Sequence, residues 1–301
     1  MIIKNEWIKI SFSWSDVSHN LKLSLFEISS GLQKSIRRWL YQDAFIYLNE
    51  LIEAWQFKYI WKRIFTYIIE DIWFANLYIA ELINILYIEH KKILDNNWQI
   101  ETKFMFLSIY IISKSQKNRE IDNLYNLVTN LKYLKDIDNE DIEYINTYCI
   151  EKIYNSKSKK IKDEINGMLR FNCINQNQII VNNYLDSMNY FWENNGDSGL
   201  NLYILFFYML NKYNFWKDLY KNNNNEFKES IYSDLMNFKI ILDYENFEIK
   251  DYIFDKHTYK GKTILNRWNK HFFTEWAYIS NEYIFNNNIY SKNILQYFEK
   301  N

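Results

Sequence analysis

The sequence predicts an all-α fold, a multi-helix array or bundle, and three observations carry that prediction. Apolar residues recur at helical spacing from Leu23 onward. Strand-like alternation is confined to the N-terminus, in "WIKISFSWS". Short polar breaks such as "SKSQKNRE" separate the periodic segments, the pattern of a helical array.

Residues 1–22 read as a short extended N-terminal arm. A first helix follows, with Leu25, Ile28, Leu32 and Ile36 on one face and Lys34, Arg37 and Arg38 clustered on another. Asp43 is expected to cap a second helix over 44–54, with Ala44, Tyr47, Leu48 and Leu51 inward. A third helix is expected over 59–72, and Asn76 can cap a fourth running to residue 92. A fifth covers 101–113 and a further one 119–133. Residues 134–200 read as amphipathic helices joined by polar loops such as "ENNGDSG". Residues 200–220 are apolar and helical, and 226–250 are helical or mixed. The organisation predicted is an arm (1–22), a helical domain (23–133) and a helical extension packed on it (134–301). That extension carries a basic and aromatic segment at 255–282, and no internal repeat is evident.

A formal net charge of -1 gives the chain no strong overall field for nucleic acid or an anionic membrane, so any such contact needs a local basic patch. Two cysteines, Cys149 and Cys173, make neither a metal cluster nor a disulfide scaffold, and an intracellular, cytoplasmic location is expected. The longest apolar run, "LYILFFYML", is too short to span a bilayer, which takes about 20 residues. The N-terminus has no basic-then-apolar signal segment. Proline is absent and glycine scarce, while Asn, Ile, Lys, Tyr and Phe abound, the mark of an AT-rich genome. Tracts such as "KNNNNEF" are expected to be loops enlarged by that bias.

Glu70 and Asp71 lie inside the apolar stretch "KYIWKRIFTYIIEDIWFANLYIAEL". A carboxylate there must be paired or wet, because burying it alone costs several kcal/mol. Arg63 is two helical turns from Glu70 on the same face, and Arg37 or Arg38 could reach the same place. One reading is a structural ion-pair network of Arg37, Arg38, Arg63, Glu70 and Asp71; the other is a polar pocket or interface. No nearby histidine supports a metal site, and no metal or other cofactor is expected. Lys34, Arg37 and Arg38 read as a solvated face, as partners of the acid pair, or as phosphate contacts. In "DKHTYKGKTILNRWNKHFFTEWAYISNE", His257, Lys260, Arg267 and His271 stand among aromatics, a mixture that suits phosphate contact with stacking and equally an ordinary amphipathic helix. The chain shows no phosphate-cradling Gly-rich loop, Gly-x-Ser-x-Gly elbow, His-Glu-x-x-His or paired Cys-x-x-Cys.

These residues carry a family resemblance. "EISSGLQKSIRRWLYQDAFIYLNELIEAWQFKYIWKRIFTYIIEDIWFAN" resembles the C-terminal helical domain of the RarA/MgsA clamp-loader-like AAA+ ATPases, in a short phage-type form without the ATPase core. The run from Leu32 to Arg38, then Trp61-Lys62-Arg63, then Glu70-Asp71-Ile72 with Ala75-Asn76, match its motifs in order. Lys114 to Asp122 is similar to a later Lys-Ser-Arg element, and "DKHTYKGK…HFFTEWA" to a His-Thr-x-x-Gly and Phe-Phe-x-Glu pattern. Residues 130–250 match nothing. The resemblance implies a non-catalytic accessory protein of DNA replication or recombination, phage-encoded and self-associating. Contact with DNA or replication proteins would run through Lys34, Arg37, Arg38, Lys62 and Arg63, with His257, Lys260, Arg267 and His271 second. The rival is an enzyme acting on a nucleotide or nucleic acid through Glu70, Asp71 and His257. The resemblance also implies glycine where Trp39, Trp73, Trp268 and Trp276 stand. UGA encodes tryptophan in one variant code and glycine in another, so UGA is expected at those four codons and UGG at Trp61.

Overall fold

The computed structural model describes residues 20–72, 75–76, 78–97, 100–119, 122, 231 and 233–266. The expected N-terminal arm up to residue 19, the helix placed at 119–133 apart from residues 119 and 122, those placed between 134 and 220, both cysteines, and Arg267 and His271 lie outside the described residues. Within them the chain is mostly helical and holds no strand, the all-α class its periodicity predicts.

Helix α1 spans Leu25–Arg37. Its start is fixed by a capping box: Ser24 Oγ accepts the Glu27 N–H at 3.3 Å, and Glu27 Oε2 accepts the Ser24 N–H at 2.9 Å. Leu25, Ile28, Leu32 and Ile36 are all buried, as their spacing requires. Helix α2, Tyr41–Glu53, starts earlier than expected: Leu40 occupies the cap with no side-chain bond, and Asp43 lies in the first turn. An acid there still complements the exposed N–H groups through the helix dipole, which is why the cap signal misplaced the boundary. Ala44, Tyr47, Leu48 and Leu51 are fully enclosed.

Helix α3 spans Phe57–Tyr67 and then widens into a single π-turn, Ile68–Ile72, where one continuous α-helix was expected. Asn76 Oδ1 accepts the Tyr78 N–H at 3.1 Å and so caps helix α4, Tyr78–Asn97. Helix α5, Lys103–Lys114, is apolar on most sides because it packs against α1, α2, α3 and α4; Met105, Ile109 and Ile112 have no exposure.

Two irregular segments strap this bundle. Near the N-terminus the Asn20 and Leu21 N–H groups both bond the buried Glu50 carboxylate of α2, which also accepts the Tyr244 hydroxyl at 2.8 Å. From the other end, Phe238 packs edge-on against Phe45 and Tyr110, and Phe247 against Tyr47. Residues 238–250 are thus irregular backbone laid over α2 and α5. They lead through a 3₁₀ turn, Asp251–Ile253, to a loop beside α1. No helix among the described residues is long and apolar enough to cross a membrane.

Candidate functional site

The π-turn ending α3 aims Glu70 and Asp71 at α1. Asp71 is completely buried. Its Oδ1 accepts from Arg37 Nε at 2.7 Å and lies 3.3 Å from Arg119 Nη1; its Oδ2 accepts from Gln33 Nε2 at 3.0 Å. Burial alone would push this carboxyl up, but the Arg37 and Arg119 guanidiniums and the Gln33 amide hold it below the usual carboxylate range. The Asp71 carbonyl accepts the Asn118 N–H at 2.8 Å, docking the chain that leaves α5.

Glu70 is 23% exposed, accepts from Gln33 Nε2 at 2.9 Å and lies 4.0 Å from Arg37 Nη2. Burial and the Asp122 charge push its carboxyl up, against the pull of Arg63. Arg63 reaches the acids through an intermediary: its Nη2 donates to Gln33 Oε1 at 2.7 Å, and the same amide donates to both carboxylates. Gln33 therefore has one workable orientation, oxygen toward Arg63 and nitrogen toward the acids.

Lys34 faces another acid, Asp255, which is 221 positions away; the two form a buried ion pair, and Lys34 Nζ also donates to Ser30 Oγ at 2.7 Å. Burial pulls the Lys34 ammonium down to about 7, against the opposing effect of Asp255. The loop carrying Asp255 is closed by its own bonds. Asp255 Oδ1 accepts the His257 N–H at 2.8 Å, and Thr258 Oγ1 donates to the Asp255 carbonyl and accepts the Gly261 N–H, each at 3.0 Å. A Cβ on Gly261 would lie 2.0 Å from the Asp255 carbonyl oxygen, so this loop needs glycine there for close approach. That accounts physically for the His-Thr-x-x-Gly spacing.

Lys34 and Arg37 are each only 2% exposed and ion-paired inward. Of the readings open for them, pairing with acids is the one seen: Arg37 meets Asp71 of the acid pair, while Lys34 meets Asp255, a remote partner that no local pattern reveals. Arg38 lies with its guanidinium 4.1 Å from the Tyr252 ring centroid and donates to the Lys34 carbonyl. Lys62 is half-buried on α3, Lys260 Nζ sits 3.8 Å above the Phe254 ring, and His257 is exposed. The charges acting on the His257 imidazole include Asp255, Lys256, Lys34 and Arg63.

Four participants escaped the sequence reading. Gln33 reads as an ordinary helix residue. Arg119 is buried, pairs with Asp71 and forms a short ion pair with Asp122. Lys117 is fully buried and donates to the Ile112, Ser113 and Ser115 carbonyls, capping the C-terminus of α5. Asp255 pairs with Lys34 from 221 positions away. The available signal was Lys117 and Arg119 within the Lys114 to Asp122 element. At α1, the Ser24-x-x-Glu27 spacing was a further signal, for the cap.

The cluster is unbalanced. Among the described residues it gathers Lys34 and Arg37 from α1, Arg38 just past it, Arg63 from α3, Lys117 and Arg119 beyond α5, and Lys256, with burial pulling the Lys34 and Lys117 ammoniums down to about 7; only Glu70, Asp71, Asp122 and Asp255 oppose them. Arg119 Nε is buried and makes no hydrogen bond among the described residues. Such an arrangement is suited to an anion at its edge. Among the described residues no group of three or more His, Cys, Asp or Glu side chains could hold a metal ion. No family model, curated protein or solved structure matches the chain.

Proposed function

We propose that the chain is a non-catalytic accessory protein of DNA replication or recombination that binds a phosphate-bearing partner beside its ionic cluster. The observation carrying this reading is the excess, among the described residues, of basic over acidic side chains in a cluster largely closed to water, where burial pulls the Lys34 and Lys117 ammoniums down to about 7 and an incoming anion would hold them charged. Water screens such a surplus poorly, so an incoming phosphate gains more there than at an open surface. The resemblance of the same segments to the RarA/MgsA C-terminal domain supports DNA or a replication protein as that partner, and self-association. The contacting groups are those with exposure left: Arg38, Lys62, Arg63, His257 and Lys260. Lys34 and Arg37 hold the scaffold.

Salt-titrated binding of duplex and single-stranded DNA tests this. Log affinity should fall linearly with log salt, by about 0.7–0.9 per phosphate contacted. Arg38→Ala and Lys260→Ala should each lower that slope by about 1. Absent or salt-insensitive binding sinks the DNA reading.

A second reading, an enzyme acting on a nucleotide or nucleic acid, draws on one observation: Glu70, linked to Arg63 through the Gln33 amide, keeps 23% exposure. Asp71 is a poor candidate for proton transfer, since two guanidiniums hold its carboxylate ionised. Turnover of a nucleotide or nucleic acid that Glu70→Gln abolishes, with DNA binding intact, would favour this second reading.

A further inference from the structure

Two consecutive helix corners in this chain are built alike. At the first, Arg38-Trp39-Leu40 joins α1 to α2; at the second, Ala54-Trp55-Gln56 joins α2 to α3. In both, the tryptophan stands two positions past the last helical residue with a left-handed backbone, φ 62° at Trp39 and φ 57° at Trp55. In both, the same pair of bonds closes the end. The Trp39 N–H donates to the Ile36 carbonyl at 3.2 Å and the Leu40 N–H to the Ser35 carbonyl at 3.0 Å. The Trp55 N–H donates to the Ile52 carbonyl and the Gln56 N–H to the Leu51 carbonyl, each at 2.9 Å. This is the Schellman ending, whose left-handed position glycine fills because any Cβ crowds the neighbouring carbonyl.

The backbone conformation disfavours tryptophan at both positions. Tryptophan has no short polar side chain to bond locally, as Asn and Asp do. Trp55 is 74% exposed, its ring meeting Phe57 edge-on, so no burial offsets the backbone strain. Trp61 is the contrast: right-handed, within α3, 3% exposed and packed against Phe65, Tyr87 and His90. Two of the three described tryptophans are thus left-handed, while neither described glycine is. Gly31 and Gly261 serve close packing instead. The whole chain has five glycines and eleven tryptophans, although glycine ordinarily makes up about 7% of residues.

We propose that positions 39 and 55 carry glycine in the cell, their codons being UGA decoded there as glycine. UGA differs from the glycine codon GGA by one base, and it yields tryptophan when read by a different variant code. The backbone at Trp55 points to this without any family resemblance. The proposal is independent of the DNA reading. With glycine at both corners, the only large exposed aromatic at the α2–α3 corner disappears, and the indole ring 5.9 Å from Lys117 Nζ is withdrawn from the cluster's flank.

The test reads the gene and the protein together. Codons 39 and 55 should be UGA and codon 61 UGG, and peptides of the protein purified from its native cell should show the glycine mass at 39 and 55. UGG at either corner, or a tryptophan mass there, overturns the proposal. A recombinant series gives a second, independent readout. Trp55→Gly should raise the urea midpoint of unfolding, whereas Trp61→Gly should lower it. A lowered midpoint for Trp55→Gly, whose ring is 74% exposed, would overturn it as well.

Discussion

Replacing Asp71 with alanine removes the acceptor on which the centre of the cluster depends. Arg37 Nε at 2.7 Å, Gln33 Nε2 at 3.0 Å and Arg119 Nη1 at 3.3 Å would all lose their partner inside a site with no exposure at Asp71. Breaking a buried pair from one side costs about 3–5 kcal/mol, because the stranded charge remains buried. Asp71→Asn should cost less, about 1–3 kcal/mol. Its amide oxygen can still accept from Arg37, but its nitrogen would face the Gln33 nitrogen. Gln33 cannot turn over in response, because its oxygen already accepts from Arg63. Reversible urea unfolding of wild type, both single variants and the pair Arg37→Met with Asp71→Leu gives the numbers. The double apolar replacement should recover much of the loss, since it leaves the cluster with one fewer of each charge. A loss below about 1 kcal/mol for Asp71→Ala would refute the reasoning, for it would mean water reaches the cations and the cluster does not bind the helices together.

Further outcomes follow from packing and titration. Gly31→Ala should destabilise by about 1–3 kcal/mol, the usual effect of overpacking, because its Cβ would fall 2.5 Å from Cζ of the fully enclosed Tyr47 ring; an unchanged urea midpoint would show that the ring can give way. The carboxyls of Asp71 and Asp255 lie below their ordinary 3.8 in the folded chain. Their stabilisation is therefore complete above about pH 4 and lost as pH falls through the folded values, so the urea midpoint should drop in acid and Asp255→Asn should flatten that drop. A wild-type midpoint that holds level from about pH 5 to about pH 2 would contradict this.

The reach of the sequence differs from element to element. Helix α1 was legible because period 3.6 and burial agree: every apolar residue named on its face is enclosed. The start of α2 was not, since Asp43 carries the same dipole advantage in the first turn as at the cap. The π-turn after Tyr67 left no mark, because a one-residue widening barely disturbs an apolar pattern. For the cluster, the acids and their requirement for cations were legible from burial alone. Which cations answer was not. Lys34 and Arg37 share a helix face in the sequence, yet one pairs with Asp255 and the other with Asp71.

What the sequence by itself determined is the helical class, the inward faces and the requirement that Glu70 and Asp71 be neutralised, since all three follow from periodicity and the desolvation of charge. Only the tertiary structure decided how that requirement is met. An ion pair is selected by distance in space, and segments as far apart as α1 and the Asp255 loop come within reach only after the bundle closes. The same holds for the corners at Trp39 and Trp55, where the left-handed backbone is a property of how two helices meet and not of the residues written there.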